Sequence, residues 1–532
     1  MNSRTAFAFS MPDLQSGCEA IARFSLANPQ QAEIDVNRFL DSLLNAPPDG
    51  KTYFRLLEQA RVAIGFVAEA QAKAYLNKPL PFNDGEEKRF QAVVALWLKT
   101  ARAYAHSAEK DSCQAADLNH SRRVAMILHR CIHYTGMAIV EHQRARRELP
   151  WGLWLDLHGY FASAEEWGVA ALAIPDAVEA RGRGTHCTAS YISFLLGEMA
   201  FRGGLSLREQ TLVRRWTVDW SPLVTLHKVE PGHGLPEYIV DPMHDVALRP
   251  ARDCRHGDIR RLDTERLLMQ ISQTRQQLKQ KVSPAQLALG DECTAAQCNR
   301  LLERLSRRWS QAHAERKFQR RSASGSARVC SGFDEMHYFI SGKEFEQPDN
   351  VRAYSRRERE SVYALRQQSD PQHVFEVGQQ QRAYAIDIWE AVNESANGFR
   401  LARRSVGQKI AHGQLLALCP HDSERFLLAQ TRWLMQEKDG GLSGGMRALP
   451  GMPAAVAARP LNQNGIAGGK FHRAFLLPKV PAVDAEPSVV MPHGWFRAGR
   501  ILELSTDGVC QIQLRRLLED GLDYQRVSFT VC

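Results

Sequence analysis

Asn393-Glu394-Ser395-Ala396-Asn397-Gly398 is the stretch on which the fold of this 532-residue chain turns. It follows an alternating, β-branched run from Tyr384 to Val392 and precedes Phe399-Arg400-Leu401, a pattern that predicts a tight turn between two antiparallel strands. Upstream, Arg316-Lys317-Phe318-Gln319-Arg320, followed by Arg321, stands directly before another alternating run, Ala327 to Phe333. Downstream, Gly413 to Leu418, Phe426 to Trp433 and Gly444 to Leu449 read as further strands, with Val406 to Leu418 expected to form a hairpin. A charged interruption from Asp349 to Gln368 reads as an inserted, solvent-facing helix.

Before this β region the texture is helical. Apolar residues recur at helical spacing from about Ala32 to Trp309, for example Tyr53, Leu56, Leu57, Ala60, Ile64 and Val67, then Leu267, Leu268, Ile271, Leu278 and Val282. Ser283-Pro284 and Thr294 are expected helix starts, the latter for the helix carrying Cys298, Leu301, Leu302, Leu305 and Trp309. The stretch from Trp154 to Tyr160, with Ala164, is similar to a tetratricopeptide helix, but no second copy follows at fixed period. After the β region a Gly/Pro-rich connector, Pro450 to Lys470, is expected to lead to a last β-rich piece. In it Trp495 to Leu504 and Val509 to Leu514 flank an Asp507-Gly508 turn.

The composition is that of an ordinary globular chain, 44% hydrophobic, with 68 Lys and Arg against 59 Asp and Glu, a net charge of +9. That excess admits an anionic ligand, yet it is not the dense basic stripe of a dedicated nucleic-acid binder. No signal-peptide core and no run of about 20 apolar residues occurs, which predicts a soluble, cytoplasmic protein without a membrane span. The 11 cysteines are odd in number and scattered, so reduced, mostly buried thiols are expected.

The two short motifs together resemble the PilZ family, whose signature is R-x-x-x-R ahead of a β-barrel and D/N-x-S-x-x-G in a turn between two of its strands. The resemblance covers about Glu315 to Arg459, and Thr431-Arg432-Trp433 is similar to the family's late strand. It implies a PilZ-like antiparallel β-barrel (311–460) with an insertion at about 335–380 and says nothing about the helical half; with the patterning on either side, the expected chain is α+β multidomain, with an N-terminal all-α helical domain (1–310) and a small C-terminal β-rich domain (470–532). The insertion makes the two motifs stand farther apart than the family's usual few tens of residues.

The implied function is a non-catalytic receptor for cyclic di-GMP, with Arg316, Arg320, Arg321, Asn393, Ser395 and Gly398 as ligand-binding residues. No catalytic residue, cofactor or metal is expected. An unidentified protein partner would be engaged through the helical half, and ligand ordering of the Arg316–Arg321 arm would relay the signal.

The residue types suit that ligand independently. Two phosphodiester charges and two guanines call for planar cations, and the Arg fork donates bidentately to phosphate oxygens or to guanine O6 and N7. Asn393 offers an amide to a guanine edge, Ser395 a hydroxyl, and Gly398 a positive φ and a close backbone approach. Each motif alone is weak: R-x-x-x-R recurs at Arg304/Arg308, Arg352/Arg356 and Arg400/Arg404.

Other chemistry is less well supported. His129 and His133 have metal-ligand spacing on a helix, but without the glutamate of a zinc-protease motif. Gly441-x-Ser443-x-Gly445 matches a nucleophile-elbow string, yet the polar Gln436-Glu437-Lys438 precedes it, so a glycine-rich turn is expected. The competing reading is a helical scaffold or adaptor whose barrel binds no ligand.

Overall fold

The computed structural model describes residues 13–110, 118–176, 178, 184–201, 204–229, 237–253, 257–311, 320–348, 384–461, 469–506 and 508–532. They belong to two compact units, Met1–Arg316 with Met435–Lys438, and Lys317–Leu434 with Asp439–Cys532. The division therefore falls between the first two residues of the arginine arm.

The first unit is built from α1 (Leu14–Ala22), α2 (Pro29–Asn45), α3 (Gly50–Ala72), α4 (Asp84–Glu109), α5 (Leu118–Arg144), α6 (Leu153–Glu166), α7 (Cys187–Phe201), α8 (Leu207–Trp220), α9 (Glu265–Lys279) and α10 (Ala295–Trp309). Local chemistry sets several of the starts. Asn83 with Glu86, Ser206 with Glu209 and Thr294 with Gln297 form reciprocal capping boxes at α4, α8 and α10, each cap worth about 1 kcal/mol.

Helix α5 organises the packing. Its Cys131, Tyr134, Met137 and Ala138 join a core with α2, α3 and α4. Its Ala125, Ile132 and Ile139 join another with α6, α7, α8, α9 and α10. A helix serving two cores is apolar on most of its circumference, and α5 is buried almost continuously from His129 to Gln143.

The second unit holds two barrels. The strands of the first are β1 (Arg321–Ser322), β2 (Ser326–Ser331), β3 (Asp387–Ser395), β4 (Gly398–Arg403), β5 (Leu415–Cys419), β6 (Leu427–Gln436) and β7 (Leu442–Ala448). They run β4-β7-β6-β5-β2-β3, and the additional β3–β4 pairing joins the two ends into a ring, with β1 extending β3. Closure removes the exposed edges that an open sheet would present. Trp389, opposite Ala327, and Leu401, opposite Ala391, fill the interior.

The second barrel is closed by β8 (Ala454–Pro460), β9 (His472–Leu477), β10 (Ser488–Pro492), β11 (Ile501–Ser505), β12 (Val509–Asp520) and β13 (Tyr524–Val531), in the order β8-β9-β10-β13-β12-β11. Val456, Ala458, Val489, Leu502, Ile512 and Val527 line its inside. The outer faces of the two barrels share a further core. Leu415, Ala417 and Cys419 of β5 meet Phe475, Leu477 and Tyr524, together with Met336 of α11 (Phe333–Ser341).

Several expectations change. The connector expected from Pro450 to Lys470 contains β8, a strand of small residues without the bulky β-branched signal that marks its neighbours. Phe333 opens a helix and does not end a strand. Ser283-Pro284 begins a single turn, with Leu287 donating back to the Ser283 carbonyl at 3.3 Å. Val406 to Leu418 is no hairpin, since β5 pairs with β6 and β2. The elbow-like string runs into β7, where Ser443 is buried in the sheet opposite Ala402. Cys293 and Cys298, expected as thiols, form a disulfide at the start of α10. The charged segment 349–368 lies outside the described residues.

One stability prediction arises from α11. His337 is buried against Phe345 and Phe475, and burial, aided by the Arg473 charge, pushes its imidazole down to about 4. The folded state therefore holds the ring neutral, whereas an unfolded imidazole takes its proton near about 6.5. Stability from this group is full above that value and is lost as pH falls through the window toward 4. In thermal melts, the loss of Tm between neutral pH and the acid end of that window should be smaller for His337→Phe than for the natural chain. Equal losses would exclude His337 as the acid-sensitive group.

Candidate functional site

Strand β3 turns at Ala396 and Asn397 and returns as β4, with Ser395 opposite Gly398 and Asn393 opposite Arg400. The turn is held from within and from the side. The Ser395 hydroxyl lies 3.2 Å from the Gly398 carbonyl and 3.4 Å from Asn397 Oδ1, and the Ala448 amide donates to the Asn397 carbonyl at 3.0 Å.

A bulge decides where the motif points. Trp389 and Ala391 face the interior, so strict alternation would send Asn393 inward too. The register shifts between Arg400 and Leu401, which face Asn393 and Ala391 respectively, leaving Val392 as the extra residue. That one-residue slip puts Asn393 and Ser395 on the outer face.

Two rows of residues cross the outer face beside the turn. The first runs Ser322, Asn393, Arg400, Gly445, and the second Ser395, Gly398, Arg447. Directly opposed residues share a face with their Cβ atoms about 5 Å apart. A glycine stands in each row, and the two differ in what lies over them. A Cβ on Gly398 would stand 3.0 Å from the Met446 carbonyl oxygen and 3.8 Å from Ser395 Oγ. Its φ lies outside the positive region, so close approach, and not a left-handed turn, is what requires glycine there. A Cβ on Gly445 would fall 2.0 Å from Trp433 Nε1, because the indole covers that position. The Arg400 guanidinium lies 5.9 Å from the Trp433 ring centre, within cation–π range.

Arg447 is anchored from the second barrel. It donates to Glu519, whose carboxylate also accepts from Arg526 at 2.8 Å and from the Tyr524 hydroxyl at 3.1 Å. Arg526 in turn reaches Ser488 Oγ at 2.9 Å. A basic side chain of the motif rows is thus positioned by residues more than 70 positions further along the chain.

The arm meets this face at β1. Arg320 is exposed and immediately precedes β1, whose Ser322 pairs opposite Asn393. Arg321 is exposed and opposite Glu394, on the alternate face. Arg316 lies outside the described residues. The sequence reading overlooked Arg400 and Arg447 as site residues. Arg400 was legible, standing two positions after Gly398, whereas Arg447 is brought in only by the non-local β4–β7 pairing.

Of the other R-x-x-x-R pairs, Arg304 donates to Glu209 at 2.7 Å and Arg308 to the Met199 carbonyl at 3.4 Å, both from α10. Arg352 and Arg356 lie outside the described residues. His129 and His133 stack in α5 with ring centres 6.4 Å apart. Among the described residues no group of three or more His, Cys, Asp or Glu is placed to hold a metal ion, and no helix is long and apolar enough to cross a membrane.

The class follows from the middle of the chain, which matches a PilZ domain: the chain is a PilZ-domain protein. Its parts match, in chain order, three family descriptions: "Cyclic-di-GMP receptor FimW, N-terminal domain" over residues 17–231, "Cyclic-di-GMP receptor FimW, middle PilZ domain" over 241–382, and "FimW C-terminal beta-barrel domain" over 456–532. The middle match takes in α9, α10, the arm and β2 and ends before Asn393. The cyclic-di-GMP receptor FimW of Pseudomonas aeruginosa is 25% identical over 507 residues, covering 85% of this chain and 80% of that protein. A solved structure described as MrkH, a novel c-di-GMP dependence transcription regulatory factor, is 10% identical over 28% of this chain and 74% of its own, with a TM-score of 0.13. That score is too low to bear on the fold.

Proposed function

We propose that the chain is a non-catalytic receptor for cyclic di-GMP, which lies on the outer face of the first barrel against Asn393, Ser395 and the bare backbone at Gly398. Arg316 and Arg320 close over it from the arm, whereas Arg321, paired opposite Glu394 on the alternate face, is left out of this set. The observation that carries this reading is the shared outer row of Ser322, Asn393 and Arg400, to which the arm leads directly at β1. The similarity to a cyclic-di-GMP receptor, named as such over most of both chains, points the same way.

The chemistry follows from the side chains. Asn393 presents both a donor and an acceptor to a guanine edge, while Ser395 and the guanidiniums meet the phosphodiester oxygens. The low floor at Gly398 lets a flat, doubly charged ring approach the main chain. Arg400, seated on Trp433, adds positive charge along the same row.

Binding at this site also supplies a route for the signal. The arm is where one compact unit gives way to the other, so a ligand that immobilises Arg316 and Arg320 stiffens the connection between the helical unit and the barrels. The helical unit then engages a protein partner. Small-angle scattering that changes on saturation with cyclic di-GMP supports this relay, and identical profiles with and without ligand would count against it.

Calorimetric titration of the full chain tests the receptor reading. Saturable heat with cyclic di-GMP and none with GMP at equal concentration is expected, and no heat with either would overturn it. Ser395→Ala should weaken binding by about 5- to 150-fold, the roughly 1–3 kcal/mol expected when a buried ligand oxygen loses its partner. Affinity unchanged in that variant would remove Ser395 from the site.

A further inference from the structure

Between α5, α7 and α8 the helical unit holds a partly open cavity of about 300 Å³, at the lower end of the volumes that accommodate small molecules. Two features set it apart from a packing defect.

The first is the wall supplied by α7, where Ser190, Ser193 and Gly197 face the space. A Cβ built on Gly197 would meet nothing within 4 Å. Mid-helix glycine costs about 1 kcal/mol relative to alanine, and alanine would fit, so this position keeps the space open at the expense of helix stability.

The second is the polar end supplied by α5. Arg130 Nη1 donates to His129 Nδ1 at 2.9 Å. A guanidinium has no acceptor, so Nδ1 carries the lone pair and the ring proton sits on Nε2. Burial, reinforced by the Arg130 charge, holds the ring neutral. His129 lines the cavity and brings to it an imidazole of fixed tautomer with a neutral N–H donor.

The charges around that donor are already matched. Asp176, also at the cavity, is held by Arg61 at 3.0 Å and Arg130 at 2.9 Å, and Arg130 reaches Glu58 at 2.9 Å. Arg144, which lines the cavity, is held by Glu69 at 2.8 Å and Glu141 at 3.0 Å, and Arg214 there is engaged as well, so the lining charges are taken up within the fold. Phe194 and Val213 supply apolar wall.

We propose that this cavity is a second ligand site, taking a small uncharged amphipathic molecule, an apolar chain or ring bearing one carbonyl or hydroxyl oxygen that accepts from His129 Nε2. It is independent of the barrel face and stands whether or not cyclic di-GMP binds there.

The test uses the full chain and prodan, a neutral fluorophore with an apolar ring and one ketone. Its emission should rise saturably and shift to the blue. Decanol should displace it at concentrations at least about tenfold lower than decanoate, reflecting a difference of roughly 1.4 kcal/mol or more. Gly197→Phe should abolish the signal while helical circular dichroism and cyclic di-GMP titration stay as in the natural chain. If that variant fails to fold, Ser193→Leu fills the same space from the next turn of α7. No saturable emission in the natural chain, equal displacement by decanoate, or undiminished prodan binding in a folded filled variant would each overturn the proposal.

Discussion

Replacing Arg320 by alanine is expected to weaken cyclic di-GMP binding by about 10- to 100-fold, corresponding to the roughly 1.5–3 kcal/mol of a hydrogen bond to a charged group. Arg320 is exposed and immediately precedes β1, whose Ser322 pairs opposite Asn393, so its loss opens no core. Arg320→Lys should recover only part of the affinity, because an ammonium restores charge but not the planar, bidentate fork. Arg307→Ala, at an exposed position paired with Glu303 on α10, serves as the basic control and should bind as the natural chain does. Calorimetric Kd values within twofold of natural for Arg320→Ala would place the ligand elsewhere.

The largest stability effect is expected in the helical unit. Asp176 is fully buried and bridges Arg61 and Arg130, whose side chains are 3% and 1% exposed. Its Oδ1 accepts from Arg61 Nη1 at 3.0 Å, and its Oδ2 from Arg61 Nη2 at 3.2 Å and Arg130 Nη1 at 2.9 Å. Asp176→Ala leaves guanidiniums buried without their counter-charge, and breaking such a pair costs about 3–5 kcal/mol. Denaturant unfolding followed by helical circular dichroism should show that loss in the transition of the helical unit. The double replacement Asp176→Leu with Arg61→Met should recover part of it, since Arg130 keeps Glu58 at 2.9 Å and the apolar pair needs no counter-charge. A loss under about 1 kcal/mol in the single variant would contradict the buried cluster.

Arg61 illustrates what the sequence conceals. Within α3 it stands beside Glu58 and reads as a solvent-facing charge on a helix, and only the fold brings Asp176 to it from 115 positions away. Period and punctuation made other parts legible: the 3.6-residue pattern gave α3 and α9, Thr294 marked the start of α10, and the two short motifs located the β region. Pairings that depend on distant strands were not legible. Closure of the first barrel rests on β4 meeting both β3 and β7, and β8 was concealed by its alanines.

The candidate site divides in the same way. Asn393, Ser395 and Gly398 could be picked out because a turn motif is local. Their outward direction could not, since it depends on the bulge at Val392, which period-two reading would have missed. Arg447 needed the second barrel as well, because Glu519 fixes it from β12.

Hydrogen–deuterium exchange of the full chain with and without saturating cyclic di-GMP tests the location of the ligand most directly. Slower exchange is predicted at the β3–β4 turn and β4, at Arg320 to Ser322 and along β7. Binding that leaves these amides unchanged while protecting a different surface would contradict the assignment of the barrel's outer face.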